Sequence, residues 1–193
     1  MQIETSVFYN DFSNLQGSLN KLVFGLPSNI RTNVGSARTF GAEANITVRP
    51  FDGLEIQSGV SLLESRILEM DSDDPAERER RIGNALPFAP KLTLTGAVRY
   101  TFQAGENFTI TPSINGRFID NYFTELDNYQ DVKGYFLGNA QLEGKFSDHL
   151  TVTGWVRNFT NKRYATTLYV ALPVYAAFRG APRTYGVSLG YTF

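Results

Sequence analysis

Large apolar residues alternate with small or polar residues along residues 183–193. From Tyr185 to Phe193 the odd positions are apolar, and Gly, Ser and Thr fill the even positions. Successive side chains of a strand point to opposite faces, so this segment predicts a strand with one apolar and one polar face. A soluble sheet would bury the apolar face, whereas a transmembrane barrel would turn it toward lipid. Phe193 ends the sequence without a polar tail, which favours the barrel.

Seven earlier segments repeat this alternation. The predicted strands are residues 2–13, 34–49, 54–68, 91–102, 108–123, 136–146 and 150–158. The connections between strands alternate strictly between long and short, beginning with a long one over residues 14–33 and ending with a long one over residues 159–182. Outer-membrane barrels have long extracellular loops and short periplasmic turns. The sequence therefore predicts an all-β, antiparallel, up-and-down barrel wall.

The polar faces of these strands carry full charges. The charged positions are Glu43, Glu55, Arg99, Arg117, Glu143, Lys145 and Arg157. Ionised groups are very costly in a dry core, so these residues indicate a solvated face, which in a wide barrel lines the lumen. Two residues disturb the pattern. Phe8 stands on the polar face of the first strand, and Pro112 predicts a bulge because it cannot donate to a strand ladder.

Composition narrows the function classes. The net charge of −1 gives no basic face for nucleic acid, and the absence of cysteine excludes thiolate metal sites. Aromatic residues make up 13% of the chain, which suits the aromatic girdles of a barrel. No apolar run approaches the ~18 residues of a membrane helix. Residues 1–6 have no signal-peptide character, although an outer-membrane protein needs a signal peptide. Either the true N-terminus lies upstream of this sequence or the barrel interpretation is wrong.

Residues with catalytic potential are few. His149 is the only histidine, and it stands in the predicted turn 147–149 with no recognisable nucleophile beside it. The glycines occur singly in strands rather than in a phosphate-binding loop. We therefore expect an exposed turn histidine, no enzymatic activity and no cofactor.

An acidic stretch lies between the third and fourth predicted strands. It contains Asp71, Asp73 and Asp74, which suggest calcium but lack the loop Gly and terminal Glu of an EF-hand. A helix start explains the stretch better, because Asp74 can cap a helix whose first residue is Pro75. Glu77 and Arg81 are then four residues apart on one face. We expect one or two helical turns with a solvated charged face.

Three motifs resemble those of TonB-dependent outer-membrane receptors. Residues 181–187 (Ala-Pro-Arg-Thr-Tyr-Gly-Val) look like the last strand of that family. Residues 156–164 are similar to its Asn-Leu-(Thr/Phe)-(Asn/Asp)-Lys-x-Tyr stretch, with Phe159 in place of the usual Leu. Residues 40–43 (Phe-Gly-Ala-Glu) are similar to its Gly-x-Glu signature. The motifs occur in the family's order, and the resemblance covers the whole chain but only the last third or so of a family member.

The resemblance implies a fold and a set of partners. It makes residues 1–193 the C-terminal portion of a 22-stranded barrel, with the plug domain and signal peptide outside this sequence. It implies that the whole receptor imports a ferric siderophore or similar chelate, driven by the TonB complex through the plug. The surroundings are outer-membrane lipid, and Leu189, Tyr191 and Phe193 would present the insertion signal to the barrel-assembly machinery.

The resemblance also suggests which residues contact ligand. Receptors of this family capture chelates in a vestibule of aromatic and Arg residues, and the candidates here are Tyr122, Tyr169, Tyr175 and Arg179. The residues themselves leave two other classes open. One is a complete small barrel of eight strands with a structural or adhesive role, and the other is a soluble antiparallel β protein that binds a ligand in its interior.

Overall fold

A computed structural model describes residues 1–72, 74–147, 149–171 and 174–193, with all their side chains except those at 20–22, 27, 32, 171 and 174. The strands are β1 (Gln2–Val23), β2 (Leu26–Val48), β3 (Leu54–Glu69), β4 (Leu92–Tyr100), β5 (Phe102–Gly105), β6 (Phe108–Ile119), β7 (Tyr122–Phe123), β8 (Asp131–Val132), β9 (Tyr135–Phe146), β10 (Leu150–Arg157), β11 (Ala165–Ala171), β12 (Val174–Arg179) and β13 (Thr184–Tyr191). One helix, α1 (Pro75–Arg81), follows β3. No helix in the described part of the chain is long and apolar enough to cross a membrane.

The strands form one large antiparallel sheet in the order β1-β2-β3-β4-β6-β9-β10-β13, with β5 pairing β6. Each long strand therefore pairs with the next long strand along the chain, as the alternation predicts. Two small hairpins, β7–β8 and β11–β12, lie off this sheet. β1 and β13 stand at opposite ends of the strand order and do not pair, so the described residues form an open wall rather than a closed eight-stranded barrel.

The register gives the sheet one apolar and one polar face. Val60, Leu94, Phe118 and Phe136 are neighbours on four adjacent strands of the apolar face. On the polar face Glu55, Arg99, Ser113, Gln141 and Trp155 are neighbours on five adjacent strands. All seven charges noted in the sequence have the parity of the polar face. The alternation therefore predicts both the pairing and the separation of the faces.

Aromatic residues mark two levels on the apolar face. Phe108 stacks on Phe146 with ring centroids 4.3 Å apart at the end with short turns, and Phe118 pairs with Phe136 nearer the long loops. Phe108 to Phe118 spans about 33 Å at ~3.3 Å per residue. A strand tilt of about 40° reduces this to a height of about 25 Å, which matches the apolar band of an outer-membrane barrel.

Bare glycines accommodate large side chains on the polar face. Phe8 is the register partner of Gly41, and a Cβ on Gly41 would lie 2.6 Å from the Phe8 ring. Trp155 covers its partner Gly186 in the same way, at 2.6 Å. The large residue that disturbs the polar pattern of β1 is therefore matched by a glycine on the neighbouring strand.

Three segments differ from the sequence-based expectation. Residues 14–33 were expected to be a long connection between two strands, but β1 and β2 continue through them as one hairpin to a turn at Phe24 and Gly25. Residues 159–182 were expected to be the last long connection, and they contain the β11–β12 hairpin. Pro112 does not bulge in its own strand, since it keeps register with Leu142. The ladder is interrupted instead on the neighbouring strand, between β4 and β5.

Candidate functional site

The long connections form a layer at one end of the sheet, which we call the loop layer. It consists of the α1 segment (70–91), the central loop (120–134), the β11–β12 hairpin and the upper part of the β1–β2 hairpin. The central loop contacts the other three. Residues 125–133 of this loop are mostly polar in sequence, but Glu125 and Leu126 are buried, the latter to 2% exposure.

Hydrogen bonds attach the central loop to β11. The Tyr122 hydroxyl donates to the Thr166 carbonyl at 3.0 Å, and the Thr124 hydroxyl donates to the Leu168 carbonyl at 2.6 Å. The Glu125 carboxylate accepts from the Val170 amide. Three side chains of the loop thus bond to backbone groups at alternate residues of β11, and these bonds hold the hairpin against the loop.

A buried ion pair attaches the central loop to α1. Arg81 is 1% exposed, and its Nε donates to Asp127 Oδ1 at 2.7 Å. Glu77 accepts from Arg81 Nη1 at 3.1 Å, which is the i,i+4 pair expected from the sequence. Burial lowers the pKa of Arg81, but the bonds to Asp127 and Glu77 outweigh it and raise the pKa above its ordinary value. The prediction of the helix is confirmed, whereas the prediction that its charged face is solvated is wrong at Arg81, which is buried.

The start of α1 follows the sequence prediction. The Asp74 side chain accepts from the Ala76 amide at 2.9 Å, and Pro75 occupies the first helical position. No group of three acidic, His or Cys side chains in the described residues is arranged to hold a metal ion. Asp73, part of the weaker calcium interpretation, lies outside the described residues.

Two apolar clusters fill the loop layer. In the first, Leu126 packs among Leu19, Val34, Ile67 and Met70. Gly17 leaves room for this cluster, because a Cβ there would lie 2.8 Å from Leu126 and 2.7 Å from Val34. The second cluster consists of Tyr122, Val132 and Tyr135, with Tyr164 and Leu168 packed against it. The layer therefore has a core of its own above the polar face of the sheet.

The four predicted ligand residues fall into two environments. Tyr122 is 7% exposed. Its burial is the larger of two causes, with the hydrogen bond to Tyr135 the second, that raise the pKa of its phenol well above the usual range. Tyr169 is half-buried, and its hydroxyl has no hydrogen-bond partner among the described residues. Tyr175 is 55% exposed, and Arg179 is exposed on the same face of β12. Ligand contact by these four residues stays a prediction.

The polar face below the loop layer carries further candidates that the sequence reading did not select. Arg157 lies over the Trp155 ring at 5.2 Å, and Trp155 Nε1 donates to Ser188 Oγ at 3.3 Å. Nearby, Asn139 donates to Asn115 at 2.8 Å beside the exposed Arg117. The sequence could have indicated the Trp155–Arg157 pair, because residues two positions apart on one strand lie on the same face.

The motif at residues 156–164 has a structural explanation. Asn158 is buried with a positive φ of 49°, and its side chain accepts from the Lys162 amide at 2.9 Å. The same side chain donates to the Lys162 and Ala181 carbonyls. Tyr164 lies over Gly180, where a Cβ would be 2.0 Å away. The motif thus turns the chain out of β10 and fixes the segment that enters β13.

The predicted insertion signal lies on the edge strand. Leu189 and Phe193 are exposed on the apolar face, and the Tyr191 ring meets Phe193 at 5.2 Å, edge to face. His149 is exposed, as expected, and its Nδ1 lies 3.0 Å from the carbonyl oxygen of Thr192, between Tyr191 and Phe193. Asp148, its neighbour in the predicted turn, lies outside the described residues.

Solved structures share this fold. The ferric yersiniabactin uptake receptor FyuA from Yersinia pestis superposes with a TM-score of 0.81 at 19% identity, over 99% of this chain and 27% of its own. The ferric preacinetobactin receptor BauA from Acinetobacter baumannii gives 0.73 at 22% identity, over 98% and 27%. The copper transporter OprC gives 0.74 at 13% identity, over 100% and 29%. The chain thus spans about a quarter of the length of these proteins.

A family comparison gives the same result from the sequence. The family model described as "TonB dependent receptor-like, beta-barrel" matches residues 1–159. The structural similarity to FyuA extends to the remaining strands. This match excludes the soluble β protein that the residues alone left open. The chain belongs to the TonB-dependent receptor β-barrel family, and its place is the bacterial outer membrane.

Proposed function

We propose that this chain is the C-terminal portion of a longer receptor that imports a ferric chelate across the outer membrane. The chain covers about a quarter of each similar receptor, which supports a parent protein with further barrel strands and a plug domain. The open sheet is consistent with this, because β1 and β13 both keep unpaired edges that need partners in hydrocarbon.

The loop layer is the observation that carries the proposal. It holds the β11–β12 hairpin through hydrogen bonds from Tyr122, Thr124 and Glu125, while Tyr175 and Arg179 remain exposed on that hairpin. An aromatic ring and a guanidinium held on a fixed hairpin suit a compact anionic chelate, since Arg forms charge-assisted hydrogen bonds to oxygen anions. In this arrangement Tyr122 positions the hairpin. Tyr169 pairs with Ala176 and therefore lies on the opposite face of the hairpin from Tyr175, with its hydroxyl buried.

The polar face would contact the plug. Its charged residues of both signs line a wide wall, and Arg117 and Arg157 have no ion pair among the described residues. A soluble domain inside the barrel can complete such pairs, and through it the TonB complex would supply energy for transport. A ferric siderophore or similar ferric chelate is the preferred cargo, because FyuA is named a ferric yersiniabactin uptake receptor and BauA a ferric preacinetobactin receptor. Copper is the alternative cargo, because OprC is named a copper transporter.

Binding and uptake by the full-length receptor test the proposal. Cells that carry it are offered a panel of radio-iron complexes, both catecholate and hydroxamate, and a copper chelate. Arg179→Gln removes a charge-assisted bond of about 1.5–3 kcal/mol, so binding of the accepted chelate should weaken roughly ten- to hundredfold. Lys133→Gln makes the same charge change at a side chain of the central loop that is 85% exposed, and binding should stay within about twofold.

Energy coupling is measured separately in the same cells. Dissipating the proton-motive force should stop uptake and leave surface binding intact. Uptake that continues without that force, or binding that is equally insensitive to Arg179→Gln and Tyr175→Ala, would contradict the proposal.

A further inference from the structure

The apolar face carries a cationic patch where its strands leave the apolar band. Arg38 on β2 and Arg66 on β3 are direct register partners, so both have the parity of the apolar face. The partners just below them are Phe40 and Glu64, with Tyr9 opposite Phe40 on β1. The patch is therefore continuous with the surface that meets lipid, and it lies on the opposite side of the sheet from the polar wall.

The height of the patch corresponds to the membrane surface. Val48 lies at the lower end of β2, and the path from Val48 to Arg38 is about 33 Å along the strand at ~3.3 Å per residue. At a tilt of about 40° this is a rise of about 25 Å, the full thickness of the apolar band. Arg38 and Arg66 thus lie at the level of lipid headgroups on the side of the long loops.

The charges of the patch are only partly balanced by the protein. Asp11 accepts from Arg38 Nε at 2.8 Å, and Glu64 pairs with Lys91 at 3.3 Å. Arg66 has no ion pair among the described residues, although it faces Arg38 across the strand pair. Like charges directly opposite each other are unfavourable in a sheet. An anion between the two guanidinium groups would remove that repulsion.

The surface between the two arginines is concave. A pocket of about 490 Å³ is lined there by Arg38, Phe40, Glu64, Arg66 and Leu68. Phe40 and Leu68 give it an apolar wall, and the two guanidinium groups supply donors suited to phosphate oxygens. The Arg38 guanidinium is further oriented by the Tyr9 ring, 5.1 Å away.

We propose that this pocket binds the phosphate headgroup of an outer-leaflet lipid, with Arg38 and Arg66 on the phosphate and the acyl chains along the apolar face below. The occupant is a phosphate-bearing lipid rather than a free anion, because the pocket is continuous with the lipid-facing band. The site is separate from the chelate site and does not depend on the proposed import.

The test measures lipid retention by the full-length receptor. The receptor is purified in detergent, incubated with diphosphorylated lipid A, and examined by native mass spectrometry with dephosphorylated lipid A as the neutral comparison. An Arg near anionic lipid is worth roughly a fivefold change in affinity. Arg66→Gln should weaken retention about fivefold and Arg38→Gln/Arg66→Gln about twenty-fivefold, whereas Arg66→Lys should retain most of the affinity. Arg99→Gln, the same change on the polar face, should have no effect.

Several results would overturn the inference. These are equal retention of the dephosphorylated lipid, an equal loss with Arg99→Gln, and displacement of the lipid by equimolar inorganic phosphate. Arg66→Gln breaks no ion pair among the described residues, so it remains informative even if the double variant fails to fold. Unchanged retention in Arg66→Gln would also refute the site.

Discussion

The Arg81–Asp127 pair is expected to control the stability of the loop layer. It is the buried link between the α1 segment and the central loop, with side-chain exposures of 1% and 7%. Removing one partner of a buried ion pair leaves the other charge uncompensated, which costs about 3–5 kcal/mol. We predict a local destabilisation of that size in Arg81→Ala, because the pair joins two segments of one layer and does not join strands of the membrane sheet.

Hydrogen exchange measures this cost directly. The amides to follow are Phe88, which donates to the Phe123 carbonyl, and Leu168, which donates to the Thr124 hydroxyl. A loss of 3 kcal/mol or more should speed their exchange by about 150-fold or more if they open with the layer. Amides at the centre of β9 should keep their protection.

Arg80 provides a matched control. It lies on the same helix and donates to the same Asp127 oxygen at 2.9 Å, but its side chain is 44% exposed. Exposed ion pairs are worth about 0–1 kcal/mol, so Arg80→Ala should change exchange by less than about fivefold. Equal effects of the two substitutions, or no effect of Arg81→Ala, would refute the argument from burial. A double variant, Arg81→Met with Asp127→Leu, should restore much of the protection, since apolar pairs often replace buried ion pairs without loss.

Three further predictions concern single positions. Leu189→Arg should cost about 2–4 kcal/mol if it lies near the bilayer midplane, and Ser188→Arg on the polar face should cost much less, as read from folding titrations into lipid. Gly53 has a φ of 83°, and a Cβ there would lie 2.0 Å from the Thr101 carbonyl oxygen. Gly53→Ala should therefore lower the free energy of unfolding by more than about 1 kcal/mol in the same titrations. Gly105→Ala should be tolerated, because the atom nearest to a Cβ at Gly105 would be 3.8 Å away. Asp74→Ala should raise exchange of the α1 amides about fivefold, the equivalent of ~1 kcal/mol for a lost N-cap.

The membrane part of the fold was predictable from the sequence because one rule acts on every residue there. A side chain between lipid and an aqueous lumen must be apolar on one face and can be polar on the other, so parity alone gives strand, face and register. The short turns follow from the same parity. The exposure of His149 and the helix start at Asp74 were also predictable from the sequence, because turns and helix caps depend on residues that are neighbours in the chain.

The loop layer was not predictable because its strands face no lipid. The β1–β2 hairpin continues beyond a register irregularity near Asn14, whose φ is 55°, and the side-chain parity changes there. Above that point Leu19 and Val34 pack against Leu126, a residue almost a hundred positions away in a loop of polar composition. The burial of Arg81 likewise depends on Asp127. Such long-range contacts leave no periodic signal in the sequence.

The separation of the two faces is the central claim, and a cysteine scan along β13 and β10 tests it most directly. The chain contains no cysteine, so this segment adds no background when single cysteines at positions 184–191 and 150–157 are spin-labelled in the reconstituted full-length receptor. Odd positions of β13, such as Val187 and Leu189, should be accessible to oxygen dissolved in the bilayer, and even positions such as Ser188 should not. On β10 the parity reverses, so that Val152 meets lipid and Thr153 does not. An accessibility that does not alternate, or that alternates with the opposite parity, would contradict the assignment of this chain as a wall between lipid and lumen.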